Sequence, residues 1–275
     1  MLSVLAHNAG ADSLPAPSWL LGYLGALAVL GTAAWLRGGW TTSRLAATSE
    51  DEVADGTVTG VREPGSWRVV GWLVGLVLLV LTLVAAFVGP DEAAANISTL
   101  AVFRVWFYAV PLLSLLLGDV MRAINPFQPI VALLERLTRR QGNPDAAPPW
   151  TAAVFLLGFS WVFVAHHAAS SPRVVGVTVA AYAIAAVTGG LLWGTAWLAT
   201  GEAFGAISAA LARVTGRAAP RPPGVLPLAV VWIGVATFDG LSQTDFWVDV
   251  LGTNAGWDRT LLNTVGLVWM TAIVA

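Results

Sequence analysis

Histidine and aspartate, side chains that often bind divalent metal ions, lie far apart in this sequence. The candidates are His7, His166, Asp239 and Asp245. Imidazole and carboxylate groups bind zinc or a similar ion, and the bound ion can activate water for hydrolysis. One interpretation is therefore a metal site of His7, His166 and Asp239. The alternative is that these are ordinary polar groups, since His166 and His167 would point about 100° apart on a helix and an Asp-Gly pair is a common helix-end signal.

Two further carboxylates, Asp119 and Glu202, each follow a glycine near the end of an apolar run. A carboxylate at the start of a helix accepts hydrogen bonds from free backbone N–H groups, so both residues are predicted to cap helices. The functional alternative is a proton or cation relay on a substrate path, because ionisable groups between apolar segments mark such paths. The sequence leaves both interpretations open.

The composition excludes several kinds of chemistry. The chain has no cysteine, so it forms no disulfide, no thiolate metal site and no cysteine nucleophile. It contains no Gly-x-Ser-x-Gly, His-Glu-x-x-His or phosphate-loop motif, each of which would indicate a particular enzyme mechanism. The net charge of −2 gives no indication of a nucleic-acid partner.

The elements that must position these residues are long apolar helices. Hydrophobic residues make up 57% of the chain and charged residues 11%, against about 25% charged in soluble proteins. A helix needs roughly 20 apolar residues to cross a bilayer, and six segments approach or reach that length. They lie near 17–36, 69–88, 97–118, 150–171, 174–198 and 225–241.

A seventh apolar segment begins near Leu261 and is cut short at Ala275. At about 1.5 Å per residue it reaches roughly 22 Å, which is less than the hydrocarbon thickness of a bilayer. We therefore expect an all-α, polytopic transmembrane bundle of six full spans and an incomplete seventh. The chain is expected to be the front part of a longer protein.

Arginine sets the expected orientation, because the chain has no lysine and short Arg-rich loops stay cytoplasmic. Eleven of the fourteen arginines lie in alternating loops, within 37–68, 122–140 and 213–221. We predict a multi-pass protein of the plasma (inner) membrane, with an extracytoplasmic segment, 1–16, before the transmembrane domain, 17–275. The polar loop 37–68 is predicted to be flexible. The His and Asp candidates then face outward, and the two glycine-linked carboxylates lie at the inner boundary.

An internal similarity connects the two glycine-linked carboxylates. Each is followed by a large apolar residue, an Ala-Ile pair and a small polar residue. Apolar residues then continue at helical spacing, which is typical of helices at a membrane surface. We predict two cytoplasmic interfacial amphipathic helices, within 119–140 and 202–214. A parallel repeat of 97–171 and 174–241, as found in some transporters, is one explanation, and chance similarity of two short segments is the other.

The same segments resemble those of a known family, actinobacterial polytopic membrane proteins commonly labelled fenitrothion hydrolase. The similarity lies in Leu117-Gly118-Asp119-Val120 with Asn125-Pro126-Phe127, in Gly201-Glu202-Ala203-Phe204, and in the run from Phe238 to Trp247. It includes the start of the chain, at Ala6-His7-Asn8 and Asp12-Ser13-Leu14-Pro15-Ala16-Pro17. The resemblance covers most of the chain and implies hydrolysis of an organophosphate triester. The chain departs from the family at Ala165-His166-His167-Ala168, where an acidic residue is expected.

Two functions from different classes follow. A permease or transporter of an unidentified small molecule is favoured by the possible repeat, by the lack of a catalytic motif and by Pro111, which is expected to kink the third span. A membrane-bound hydrolase, assisted by a divalent metal such as zinc at the outer face, follows from the resemblance and the His and Asp candidates. The lipid bilayer is the expected partner in both cases. Gly71 and Gly75 have the spacing of close helix contacts, either within the chain or in an oligomer.

Overall fold

The structure is a computed structural model that describes residues 66–216 and 219–275. These two ranges contain helices and loops and no β-strand. Four helical segments in them are long and apolar enough to cross a membrane: Arg68–Val88, Ile97–Leu117, Pro172–Trp193 and Val225–Ser242. They agree with four of the six predicted spans and confirm an all-helical fold in the described part of the chain. The predicted span 17–36 and the loop before Ser66 lie outside the described residues.

The helices are numbered here in chain order. The first is α1 (Ser66–Val88), and the next span consists of α2 (Ile97–Leu100), a π-helix (Ala101–Ala109) and α3 (Val110–Leu117). Two short helices, α4 (Val120–Ile124) and α5 (Phe127–Thr138), precede α6 (Thr151–Val164) and α7 (Pro172–Trp193). The remaining helices are α8 (Ala203–Val214), α9 (Val225–Ser242), α10 (Asp245–Leu251) and α11 (Gly256–Val274). Short 3-10 helices lie at Pro144–Ala146 and Thr195–Ala199.

Two predicted spans are shorter than their apolar runs. The segment predicted at 150–171 forms α6, which has 14 residues and ends at Val164. The segment predicted at 174–198 forms α7, which ends at Trp193 because Gly194 has a φ of +86°. Glycine adopts this left-handed conformation without the steric cost that other residues meet. Six full spans are therefore not confirmed.

The bundle of helices has two ends, which we name after residues of α7. The Pro172 end is where α7 starts, and the Trp193 end is where it finishes. The loops that follow α5 and α7 join at the Trp193 end. There the Asn143 backbone N–H donates to the Leu192 carbonyl oxygen at 3.0 Å, and the backbone of Gly142 lies against that of Gly194. The order of the helices thus brings these two alternate loops to the same end.

Gly71 and Gly75 on α1 lie directly against the backbone of α4. A Cβ atom on Gly71 would overlap the Ala123 carbonyl oxygen, and one on Gly75 would overlap that of Ile124. The four-residue spacing therefore permits close packing within the chain. This contact accounts for both glycines without an oligomer.

The two helices predicted at the membrane surface have different surroundings. α5 has one buried face, with Phe127 and Val131, and exposes Leu133 and Leu137 on the other. In contrast, nine of the twelve residues of α8 are buried. The surface position predicted for 202–214 is thus not confirmed. The apolar stripe through Phe204 and Ile207 predicted one buried face, but small residues on the opposite side let neighbouring helices pack there too: Ala203, Gly205, Ala206 and Ala209.

Candidate functional site

The chain between α7 and α8 turns back into the bundle. Tyr182 is the eleventh of the 22 residues of α7, and its hydroxyl group donates a hydrogen bond to Glu202 Oε1. Trp193 lies eleven positions after Tyr182, which at 1.5 Å per residue is roughly 16 Å of helix. Glu202 therefore lies beside the middle of α7, well inside the Trp193 end.

From Glu202, α8 runs back toward the Trp193 end beside α3 and the π-helix. Near its start, the ring centroid of Phe204 is 6.3 Å from that of Phe107. Further along, Ser208 Oγ lies 2.8 Å from Ser114 Oγ. The residue numbers rise from the first pair to the second in both segments, so α8 runs parallel to the π-helix and α3. It is therefore a re-entrant half-helix that begins within the bundle.

Trp197 holds the loop that leads to this half-helix. Its indole Nε1 donates to Thr151 Oγ1 at 3.2 Å, and its backbone carbonyl accepts from the Gly201 N–H at 2.7 Å. A Cβ atom on Gly189 or on Gly201 would overlap the Trp197 ring. The two glycines thus make the space into which the ring fits, and the ring fixes the path of the loop along α7.

The Glu202 side chain is fully buried, with 0% of its surface exposed. Oε1 accepts hydrogen bonds from the Tyr182 hydroxyl and the Phe204 backbone N–H, the latter at 3.0 Å. Oε2 accepts from the Gly205 N–H at 2.7 Å. Glu202 is therefore the N-cap of α8, as predicted, but its position at the inner boundary is corrected to the interior of the bundle.

Aromatic rings pack around Tyr182, whose hydroxyl group binds the buried carboxylate. The Tyr182 ring centroid lies 5.0 Å from that of Phe159, 5.4 Å from that of Phe155 and 5.7 Å from that of Phe204. Within residues 66–216 and 219–275, no arginine forms an ion pair with Glu202. The negative charge is thus stabilised by hydrogen bonds alone among these residues.

Burial raises the pKa of Glu202 from 4.5 to about 6, although its hydrogen bonds act in the opposite direction. The desolvation of a carboxylate favours its protonated form. The donors from Tyr182, Gly205 and Phe204 favour the ionised form and lower the pKa. The resulting pKa of about 6 is close enough to the working pH for the carboxyl group both to bind and to release a proton.

Asp119 caps α4 and also contacts α8 through Ser208. Its Oδ1 accepts from the Arg122 N–H at 3.1 Å and from Ser208 Oγ at 2.9 Å. Ser208 Oγ in turn accepts from the Met121 N–H at 3.0 Å. Burial raises the pKa of Asp119, and the bonds from Ser208 and Arg122 partly oppose this. The two carboxylates named by the sequence therefore contact the same half-helix, Glu202 at its first residue and Asp119 through its second turn.

His166 and His167 lie in the turn after α6, because the helix ends before them. Their rings stack with centroids 4.5 Å apart, so the 100° separation expected on a helix is wrong. His167 Nδ1 is 2.9 Å from Thr260 Oγ1, and the Trp257 ring lies edge-on to both imidazoles at 5.3 and 5.2 Å. Burial lowers the pKa of His166, and His167 lowers it further.

The proposed metal ligands are only partly covered by the structure. Asp239 is half-buried in the last turn of α9, and Asp245 is exposed at the first residue of α10. His7 lies outside the described residues. Among residues 66–216 and 219–275, no three His, Asp or Glu side chains form a group that could hold an ion. The zinc site of His7, His166 and Asp239 therefore stays a prediction.

Sequence reasoning named Asp119 and Glu202 but missed the residues that contact them. Tyr182 is one of only three tyrosines in the chain. Its hydroxyl group within an apolar run was the signal that could have indicated a buried polar contact. Ser208 and Ser114 were less visible, because serine is common in helices that pack closely. Trp257 and Thr260 beside the histidines had no local signal, since they belong to another helix.

No protein-family model, no curated protein and no solved structure matches the chain. The resemblance to the family labelled fenitrothion hydrolase therefore stays a prediction.

Proposed function

We propose that this chain belongs to a multi-spanning membrane permease in which Glu202 binds and releases a proton during transport of a small molecule. The supporting observation is a fully buried carboxylate at the start of a re-entrant half-helix, beside the middle of a span. Broken helices in transporters begin or end at substrate and ion sites near the middle of the bilayer. Ionisable groups at that depth are costly and mark proton or ion pathways.

Proton binding and movement of α8 are expected to depend on each other. A neutral carboxyl group accepts hydrogen bonds less strongly than a carboxylate, so protonation weakens the contact between Glu202 and Tyr182. Separation of α8 from α7 removes the Tyr182 donor and so favours protonation. Each change therefore stabilises the other, which is the coupling that an ion-driven carrier requires.

The arginine distribution supports a cytoplasmic Trp193 end. Arg122, Arg136, Arg139 and Arg140 all follow α3, at the end where α7 finishes. Short Arg-rich loops resist translocation. Because the chain lacks cysteine, Arg140→Cys introduces a single thiol that tests this orientation. Labelling by a membrane-impermeant maleimide only after the cells are opened would support it, and labelling of intact spheroplasts would contradict it.

The permease proposal is tested with the full chain in liposomes that enclose the pH indicator pyranine. Amino acids, sugars, carboxylates and organic cations are added one class at a time across an imposed pH gradient. We expect one class to drive a proton flux that Glu202→Gln abolishes. Glu135→Gln on α5 removes a carboxylate away from this site and serves as the control. A solute-driven proton flux that Glu202→Gln leaves at the wild-type rate would contradict the role of Glu202.

The alternative function, a membrane-bound organophosphate hydrolase, is tested in the same preparation. Fenitrothion is added with and without zinc, and release of the nitrophenolate product is followed by its absorbance. Hydrolysis that requires zinc and that His166→Ala abolishes would favour the hydrolase over the permease. Under the permease proposal, no such hydrolysis is expected.

A further inference from the structure

Helix α5 and the residues after it expose apolar and cationic side chains together at the Trp193 end. Leu133 and Leu137 are 56% and 71% exposed. Arg136 lies between them in sequence, and Arg139 and Arg140 follow the helix, all three exposed. Leucine is unfavourable in water, and a guanidinium is unfavourable in hydrocarbon. The boundary between hydrocarbon and water is the environment that suits both.

The packing of α5 places it at that boundary. Val131, on its buried face, lies against Gly190, three residues before α7 ends. Two residues after Arg140, the backbone of Gly142 lies against Gly194, directly beyond the end of α7. The arginines are therefore at the level where a membrane-spanning helix finishes, which is the level of the lipid headgroups.

These arginines have no acidic partner in residues 66–216 and 219–275. Glu135 has the i, i+4 spacing for a pair with Arg139, but Arg139 leaves the helix with a φ of +53°. This turn removes it from the helical surface on which the pair would form. Each guanidinium presents a planar fork of N–H donors that matches the oxygens of a phosphate group.

We propose that α5, with Arg139 and Arg140, is a binding site for the phosphodiester headgroups of anionic phospholipids, with Leu133 and Leu137 in contact with the acyl chains. The charge of the site selects lipids with a net negative charge over zwitterionic ones, because the positive group of a zwitterionic headgroup opposes the arginines. This proposal requires a membrane location but does not depend on Glu202 or on transport.

The test measures lipid selectivity of the full chain in phosphatidylcholine vesicles. Trace spin-labelled phosphatidylglycerol or phosphatidylcholine is added, and electron spin resonance gives the fraction of each lipid that is immobilised by the protein. We expect a preference for phosphatidylglycerol that decreases by up to about fivefold for each arginine removed. The triple variant Arg136→Gln/Arg139→Gln/Arg140→Gln should lose most of it. Added inorganic phosphate should not displace the lipid, because it lacks acyl chains.

A second triple variant controls for net charge. Arg104→Gln/Arg173→Gln/Arg259→Gln removes three arginines from the part of the chain predicted on the opposite side, and it should retain the preference. Equal loss in both variants, or no preference in the wild type, would overturn the proposal. If the variant Arg136→Gln/Arg139→Gln/Arg140→Gln does not fold, Arg140→Gln alone is used instead, because Arg140 lies outside the helix. It should lower the preference measurably, and an unchanged preference would contradict the site.

A single spin label identifies what covers the leucine face. The chain has no cysteine, so Leu137→Cys gives one attachment point for a nitroxide. In vesicles we expect collisions with oxygen, which dissolves in hydrocarbon, to exceed those with a water-soluble nickel chelate. The opposite order would place Leu137 in water and overturn the proposal. Dipolar broadening between labels would show that a second copy covers the face, which would also overturn it.

Discussion

The segments that follow Asp119 and Glu202 begin alike and end in different surroundings. Each acid caps a helix through bonds to backbone N–H groups. After Asp119, Pro126 limits α4 to five residues, because proline lacks an N–H and disfavours helical geometry in the residue before it. No proline follows Glu202 until α8 has ended, and α8 continues for 12 residues.

The size of the side chains explains why only the second segment enters the bundle. The buried residues of α8 include several that are small: Ala203, Gly205, Ala206, Ser208 and Ala209. Helices approach closely where small residues meet. α5 instead carries the large side chains of Leu133, Arg136 and Leu137, which remain exposed. The capping acid is thus half-buried in the first segment and fully buried in the second, because of the residues that follow each acid.

The largest expected effect comes from adding a side chain to α8. A Cβ atom on Gly205 would overlap the Leu198 backbone carbonyl oxygen, so Gly205→Val should lower the free energy of unfolding by about 3 kcal/mol or more. Thermal unfolding in detergent measures the loss. Gly158→Ala on α6, where a Cβ meets no atom within 4 Å, is the control and should be neutral or slightly stabilising. Equal stability of both variants would show that α8 is not tightly enclosed.

The second effect is a pH dependence specific to the buried acid. The pKa of Glu202 is about 6 in the folded protein and 4.5 as the reference value, so the folded state binds more protons between these values. Stability from this group is fully present below pH 4.5 and is lost as the pH rises toward 6, by up to about 2 kcal/mol.

Glu202→Gln should remove this decrease, whereas Glu135→Gln on α5 should retain it. The measurement is the midpoint of thermal unfolding at a series of pH values for each variant. If the wild type and Glu202→Gln show the same pH dependence, Glu202 does not titrate in this window and the contrast between the two acids fails.

A third and smaller effect tests the contact between the two segments. Ser208 joins them through hydrogen bonds with Asp119, Ser114 and the Met121 N–H. Ser208→Ala leaves Asp119 with one donor fewer and should cost about 1–2 kcal/mol of stability. Wild-type stability of Ser208→Ala would show that the segments are independent.

The smallest effect is expected on α5. Leu137 is 71% exposed, so Leu137→Ser should change the stability of the detergent-solubilised protein by no more than about 0.5 kcal/mol. Val131→Ala, on the buried face of the same helix, should cost more because it leaves a cavity. A large loss for Leu137→Ser, measured by the same thermal unfolding, would mean that part of the protein covers this face in solution.

The long apolar helices were predictable because hydropathy is a local property. The apolar runs at 69–88, 97–118 and 225–241 closely match helices in the structure. The position of Glu202 was not predictable in this way. It depends on the left-handed Gly194, which ends α7, and on Trp197, which holds the returning loop against α7. Both involve contacts between segments, and no hydropathy pattern reports them.

The histidine turn shows the same limit. Neither glycine nor proline follows Val164 until Pro172, so no local signal indicated the end of α6. Three residues after the helix ends, the His167 N–H donates to Thr260 Oγ1 of α11, at 3.0 Å. The sequence singled out the histidines as candidates, but their mutual geometry depends on the position of a helix almost a hundred residues later in the chain.

The fit of the Trp197 ring against Gly189 and Gly201 also restricts how this protein can diverge. Alanine at 189 or 201 requires a smaller residue at 197, and a smaller residue at 197 leaves a void unless one of the glycines gains a side chain. The three positions therefore form one unit of covariation. In a deep set of homologues, substitutions at 189, 197 and 201 should appear together, and lineages that lose the tryptophan should also lose the inward path of the loop that carries Glu202.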